Sequence, residues 1–343
     1  MTSLLTDIGA TLPVLAAPMA GGPTTPAMVD AAASAGSIGL LAAGYRTPAD
    51  VAEQIRLVRS ATSRFGVNLF APNPIAVDPS EYRAYVRRMQ AEAGRRGMAI
   101  DDGEPREDDD AWQEKVDLLT QDPVPVVSFT FGIPDPRTIR VLKAAGSVIL
   151  LTVTSAGEAE AAIVAGADAL VVQASAAGGH SGTFTPRETP PELPIGVLLR
   201  RVRSVTRRPL IAAGGVSTPG SVVDALTAGA DAVAVGTALL LTPESGASQT
   251  HKDALVDPRF THTVVTRAFT GRPARALRND FTERHTAAAP SGYPALHHLT
   301  SPLRRAAAAA GDPQGLHLWA GTGHARIPTG GTADVLAYLA SGV

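Results

Sequence analysis

The chain has 343 residues, 45% of them hydrophobic and 18% charged, with a formal charge of -2, so it can bury a large core, and disorder is excluded as its main state. A near-neutral surface offers polyphosphate backbones and anionic membranes no general attraction, so neither nucleic acid nor a membrane is expected as a partner. With no cysteine, disulfides, thiolate nucleophiles, iron–sulfur clusters and cysteine-ligated zinc are impossible, and chemistry must come from other groups or a cofactor.

The uncharged stretch between Asp7 and Asp30 is broken by Pro13, Pro18, Pro23 and Pro26, which a membrane-spanning helix would not readily tolerate. The opening Met1-Thr-Ser-Leu-Leu-Thr-Asp7 has no basic region of the kind that starts a secretory signal, so a cytoplasmic location is expected. From there, short branched runs alternate with alanine-rich helical ones, the pattern of parallel βα units. Eight candidate strands fall at 13–17, 37–42, 65–70, 126–129, 147–152, 169–173, 210–213 and 232–235. Helices are expected at 26–35, 48–60, 136–145, 155–165, 193–206 and 218–228. Several open on Thr-Pro or Asp-Pro, where the side-chain oxygen caps and proline takes the first helical position.

The phrase Val164-Ala-Gly-Ala-Asp168-Ala-Leu-Val-Val returns as Thr227-Ala-Gly-Ala-Asp231-Ala-Val-Ala-Val. In each, glycine ends a helix, aspartate sits in the turn and a buried strand follows, so Asp168 and Asp231 are expected to serve the fold alone. Eight βα units close without a leftover strand, which predicts an α/β fold of the (β/α)8 TIM-barrel type over an open doubly wound sheet.

Two insertions break this period. Residues 71–122 follow the third strand and contain the acidic run Asp101-Asp-Gly-Glu-Pro-Arg-Glu-Asp-Asp-Asp110, expected as a solvated loop because the ligand spacing of a hard-cation loop is missing. Residues 243–315 follow the eighth strand, look mainly helical and polar, and are expected to form a lid or substrate-side subdomain beside the barrel's C-terminal face. The expected division is a barrel over 1–242, the subdomain over 243–315 and a closing segment over 316–343 that returns to the barrel.

Working groups in such a barrel sit where strands end. After strand seven comes Ala212-Ala-Gly-Gly-Val-Ser217 and after strand eight Val235-Gly-Thr-Ala238. The glycines let backbone approach closely and free amides at helix starts face an anion, so Gly214, Gly215, Gly236 and Thr237 point to a phosphate, whether of a phosphosugar or of flavin mononucleotide (FMN). After strand one, Ala17-Pro18-Met19-Ala-Gly-Gly22 is a rigid apolar turn that could lie flat against a planar ring. Asn68 and Gln173, at the ends of strands three and six, each offer a neutral donor and acceptor, which suits a uracil-like edge and favours flavin over a sugar phosphate. His180 stands in Ala174-Ser-Ala-Ala-Gly-Gly-His-Ser-Gly182 with little to pack against, as a base or, protonated, an anion holder. No Gly-x-Ser-x-Gly elbow accompanies it, which argues against a serine hydrolase. Arg267, Arg272 and Arg275 are either a solvated face or a tie between subdomain and barrel.

These phrases, in this order, resemble the nitronate monooxygenase family. The likeness rests on Ala17-Pro-Met-Ala-Gly21, Val67-Asn-Leu69, Val127-Ser-Phe-Thr-Phe-Gly132, Val172-Gln173, Gly178-Gly-His180, Ala212-Ala-Gly-Gly215, Gly236-Thr237, Thr266-Arg-Ala-Phe-Thr-Gly-Arg-Pro-Ala-Arg275 and Leu318-Trp-Ala-Gly-Thr-Gly323, which run nearly the full chain. It implies an FMN-binding barrel that oxidises alkyl nitronates, and possibly nitroalkanes, with dioxygen to a carbonyl compound and nitrite. By the same likeness Ala17, Pro18, Met19, Asn68 and Gln173 would meet the isoalloxazine and ribityl groups. Gly178, Gly179, Gly214, Gly215, Gly236 and Thr237 would hold the rest of the cofactor towards its phosphate, and His180 would be the catalytic histidine. Tyr293 and His297 would lie near the substrate.

The chain departs from the family where His297, Ser301 and Arg304 replace further tyrosine and lysine side chains, and where Thr322 replaces a usual glutamine. Both departures touch the substrate more than the cofactor. The rival from the same fold is an FMN-dependent NAD(P)H:quinone or enoyl-thioester reductase. The rivals from other classes are a flavin-free phosphosugar isomerase or lyase, which would need a carboxylate or lysine at a strand end, and an inert FMN-binding module. A monomer or a homodimer is compatible with the composition.

Overall fold

A computed structural model describes residues 8–101 and 103–343; the opening residues 1–7, on which the expectation about a signal rested, lie outside it. Eight parallel strands close into a barrel in the order β1 (Val14–Ala16), β2 (Gly39–Ala42), β3 (Phe65–Phe70), β4 (Val126–Thr130), β5 (Val148–Val153), β6 (Ala169–Gln173), β8 (Leu210–Ala213) and β9 (Ala232–Val235), with β9 pairing back onto β1. All eight fall on the strands read from the sequence. Between them run α1 (Pro26–Ser34), α2 (Pro48–Arg59), α3 (Pro79–Gly94), α4 (Trp112–Gln121), α5 (Pro136–Ala144), α6 (Ala156–Ala165), α7 (Ile195–Arg203) and α8 (Pro219–Thr227).

Helix starts are set by the expected chemistry. Thr25, Thr47, Asp78, Asp135 and Thr218 each cap with a side-chain oxygen, and proline follows each of them. Strand parity then sorts the side chains. Val67, Leu69, Val127 and Phe129 point out to the helices, whereas Leu15, Leu40, Val126, Leu150, Ile211 and Ala234 form a separate cluster inside the barrel. Asn68, alternating with Val67 and Leu69, therefore faces inward. Asp168 binds Lys143 at 2.6 Å and accepts from the Ile149 amide, and Asp231 binds Arg203 at 3.0 Å and accepts from the Leu210 amide. Both stitch neighbouring units together at the strand starts.

The segment after β9 holds α9 (Gln249–Val256), α10 (Asp280–His285) and α11 (Ala295–Ala309), but also a hairpin that the sequence pattern did not announce, β10 (Thr263–Thr266) and β11 (Ala274–Leu277). The hairpin pairs antiparallel with β7 (Gly179–His180), a short strand inside the glycine loop after β6. Its hydrophobic alternation spans four residues a side, too little to stand out in an arginine-bearing stretch. The choice left open for the arginines resolves as a tie. Arg272 is fully buried and donates to the carbonyls of Asn73, Phe131 and Thr183, while Arg275 donates to Ser175 O and pairs with Glu192. α12 (Thr332–Ala340) brings Val335, Leu336 and Leu339 into the main core beside α1 and α8.

The acidic run is solvated only in part. Asp110 accepts from the Tyr45 amide and pairs with Lys115 at 2.8 Å, and Asp108 lies 2.8 Å from His298. The run thus crosses from the β2 end of the barrel to α11.

Candidate active site

A cavity of about 560 Å³ opens at the C-terminal mouth of the barrel, within the range of small-molecule and cofactor sites. The barrel builds one half of it and the segments 237–323 build the other. Ala17, Pro18, Met19, Asn68, Gln173, Gly178, Gly179, His180, Gly214, Gly215, Gly236, Thr237 and His297 all line it. Tyr293 does not. It packs behind the wall, its hydroxyl donating to Tyr45 Oη at 3.2 Å, and Tyr45 takes the place on the surface. The β2 end supplies Tyr45 directly to the mouth, whereas Tyr293 is held back by its contacts with Phe131.

Backbone dominates the barrel half. Gly214 and Gly215 have φ of +104° and +80°, a conformation that side chains disfavour, and a Cβ on Gly214 would stand 2.7 Å from the Ala177 amide nitrogen. These glycines lead into α8, whose start is closed by a Thr218–Ser221 capping box, whereas the short 3₁₀ turn beginning at Thr237 has no side-chain cap on its first amides. Close by, Ser217 Oγ is buried without a partner among the described residues. The C-terminal phrase closes over this end: Gly321 N donates to Thr237 Oγ1 at 2.9 Å, and Thr322 lies 3.7 Å from where a Gly215 Cβ would be. Gly178 packs so tightly under Ala320 that a Cβ there would come within 2.6 Å of its carbonyl carbon.

The two strand-end amides are anchored differently. Asn68 Nδ2 donates to Ser128 O, Ser128 Oγ and Thr130 Oγ1, which leaves Oδ1 without a partner on the described chain. Gln173 instead reaches across the loop to His180 O and accepts from the Gly182 amide. Its amide shapes the loop that carries His180, while its flank still lines the cavity.

The other half is a convergence of side chains. His180 is ringed by Phe131, Tyr293 and Trp319 at centroid distances of 5.6, 6.1 and 5.3 Å, and its Nε2 lies 2.8 Å from Thr270 Oγ1. Burial, reinforced by the charges of Arg272 and Arg304, pushes its pKa down to about 3, so the imidazole is neutral at pH 7 and the alternative of an imidazolium that holds an anion is set aside. His297 stacks on Tyr45 at 4.1 Å, and burial and Arg304 push it down to about 2. Burial likewise holds His251 down at about 4 and His317 well below the usual range. Tyr45 is pushed up to about 12 by burial.

Positive charge at this end comes from guanidinium groups. Arg304 donates to His297 O at 2.9 Å and to Thr300 Oγ1 at 3.2 Å, and it has no carboxylate within bonding distance among the described residues. Burial lowers it only to about 10, so it remains charged. Arg272 sits 4.0 Å over the Phe131 ring, equally charged at about 10 and equally without a carboxylate. Arg272 stands behind the wall, and among the described lining residues there are two arginines, Arg304 and Arg305, and four histidines but no aspartate, glutamate or lysine. A cavity of this kind favours anions and offers only a neutral imidazole as a base. Tyr45 and Phe131 both adopt left-handed φ, +66° and +85°. Such strain, of order 1–3 kcal/mol each, is held beside His180 by the surrounding contacts.

Comparisons with known proteins agree with this architecture. The nitronate monooxygenase family model matches residues 2–339. The chain belongs to the nitronate monooxygenase family. A probable nitronate monooxygenase of Staphylococcus aureus is 36% identical over 317 residues, covering 90% of this chain and 88% of the relative. Among solved structures, nitroalkane oxidase from Streptomyces ansochromogenes matches at a TM-score of 0.93 and 43% identity, over 99% of this chain and 97% of that one. FabK from Thermotoga maritima matches at 0.77 and 26%, over 99% and 94%. Family membership makes the protein a flavin-dependent oxidoreductase. No helix among the described residues is long and apolar enough to cross a membrane.

Several lining residues escaped the sequence reading. Tyr45 follows a strand end and was open to the same rule as Asn68. Thr270 and Trp319 lie in phrases that carried the family likeness but were given no role there, while His251 and His317 come from segments outside the barrel period that nothing local marks.

Proposed function

We propose that the protein binds FMN and oxidises nitronates, and nitroalkanes after proton removal, with dioxygen, giving a carbonyl compound and nitrite. The observation that carries this is the pairing of a neutral His180 with the charged guanidinium of Arg304 in a cavity whose described lining holds no acidic side chain. A lyase that works through a strand-end carboxylate or lysine has no such group here.

The donor set fits the flavin. Consecutive left-handed glycines at 214 and 215, the unpaired Ser217 Oγ and the free amides at the start of the Thr237 turn suit a phosphate. Asn68 offers an unpaired oxygen to the edge of a ring, and Ala17, Pro18 and Met19 offer an apolar face. When bound, FMN supplies the electron acceptor that dioxygen reoxidises.

The chain's own groups do the rest. A nitronate is already an anion, and the field of Arg304, which lines the cavity, draws it in and orients its charged end. A neutral nitroalkane must first lose the proton on the carbon bearing the nitro group. The carbon–hydrogen bond breaks, the proton goes to a ring nitrogen of His180, and the electron pair moves into the nitro group to form the nitronate. Phe131, Tyr293 and Trp319 restrict water around that ring. The small substrate, dioxygen and a cytoplasmic setting complete the proposal.

His180→Asn tests it. Turnover of nitroethane is expected to fall by about two orders of magnitude or more, the scale of a lost general base, while flavin stays bound. A variant that loses flavin yet keeps its activity per flavin would overturn the catalytic role. Rapid bleaching of the flavin by NADH or NADPH without oxygen would favour the reductase instead.

A further inference from the structure

Thr270 stands in the turn between β10 and β11, is 1% exposed, and plays no part in the chemistry described so far. Its hydroxyl has one proton and two neighbours, His180 Nε2 at 2.8 Å and the Arg272 carbonyl oxygen at 3.5 Å. If the hydroxyl donates to the imidazole, the Arg272 carbonyl, which has no other donor among the described residues, is left unpaired in a buried turn. If it donates to that carbonyl, Oγ1 accepts from Nε2–H and all three groups are satisfied. A buried carbonyl without a partner is costly, so the second arrangement is the stable one. The pairing of His180 with Ala274 across β7 and β11 holds the ring and the turn in a common frame.

We infer that Thr270 is a positioning residue that locks His180 as the Nε2–H tautomer, so that Nδ1, which has no partner on the described chain, carries the lone pair offered to a carbon acid. The opposite tautomer would present an N–H there and could accept no proton at that atom. The inference rests on the proposal that His180 is the base, and deepens it: a device that fixes the tautomer serves neutral nitroalkanes and is idle for nitronates, which need no proton removed.

The test compares the purified flavin-loaded wild type with Thr270→Val, which keeps shape but removes the hydroxyl, and Thr270→Ser, which keeps the hydroxyl. Two-bond proton–nitrogen correlations of labelled histidines, with His180 assigned by its loss in His180→Asn, should show a protonated Nε2 in wild type and the serine variant, and a mixture in the valine variant. Steady-state rates should show kcat/KM of Thr270→Val for nitroethane lowered roughly tenfold to hundredfold, at or below the lower end of what a misarranged general base costs, with ethyl nitronate and flavin content unchanged and serine restoring the rate. A protonated Nδ1 in wild type, or an equal loss on both substrates, would overturn it. If the tautomer behaves as expected while His180→Asn still turns over nitroethane, the base proposal fails and the tautomer assignment stands.

Discussion

The two halves of the cavity are built from different materials. At the barrel end the cavity surface is mostly backbone: left-handed glycines, the first amides of the Thr237 turn and an apolar turn. At the subdomain end it is side chains, with His180, His297 and Arg304 converging from β7 and α11. On the proposal above, this backbone would take a constant phosphate, a task that needs glycines at set places and treats any side chain there as an obstruction. A surface that selects a substrate and moves a proton needs particular functional groups, whose properties depend on what surrounds them.

If that contrast is real, substitutions at the two ends should fail in different ways. The largest effect is expected for Gly214→Val, where a left-handed φ and a Cβ 2.7 Å from Ala177 N leave no room to adjust. The strain alone is worth about 1–3 kcal/mol, and flavin absorbance per polypeptide should fall severalfold or vanish. A yellow, active Gly214→Val would end the idea of a backbone-made phosphate end. Arg304→Gln should do the reverse, leaving flavin content and nearly all of kcat intact while raising KM for a nitronate roughly tenfold, about 1.4 kcal/mol of lost charge attraction. Unchanged KM would remove Arg304 from substrate binding.

Acid should expose the subdomain end next. His180, His251 and His297 are held below their unfolded values, so they favour the native state fully above about pH 6.5, the unfolded pKa. As pH falls below that value, the unfolded chain takes up protons that the native chain refuses. Stability therefore drops with falling pH, by up to about 1.4 kcal/mol per unit for each histidine until its native pKa is reached. Denaturant melts at pH 7, 6 and 5 would show it, and a flat profile would mean that these imidazoles are better hydrated than their surroundings suggest. The smallest effect is expected for Asp108→Asn. Its contact with His298 is partly exposed, so less than about 1 kcal/mol should be lost, and a larger fall in thermal midpoint would make the acidic crossing a structural clamp.

Legibility followed the same division. Asn68 could be placed on the cavity from the sequence because strand parity turns it inward, and Gly214, Gly215, Gly236 and Thr237 because working groups of a barrel sit where its strands end. Asp168 and Asp231 were legible as fold grammar since each repeats within a repeated phrase. Tyr293 was expected near the substrate and stands one layer behind the cavity wall beside His180, because a tyrosine in that segment can face the cavity or pack behind it and only packing against Phe131 and Tyr45 decides which. The acidic run read as solvent-facing because charge density says nothing of where a loop crosses, and Asp110 turned inward to Lys115 and the Tyr45 amide.

The order of apolar runs, capping pairs and glycines determined by itself the eightfold barrel and its ends, because these are local patterns repeated at short range, and the family was legible only through the likeness of its phrases. The charge state of His180 was decided only by the tertiary structure. An imidazole is neutral or charged according to the water, rings and guanidiniums around it, and those arrive from residues ninety or more positions away along the chain.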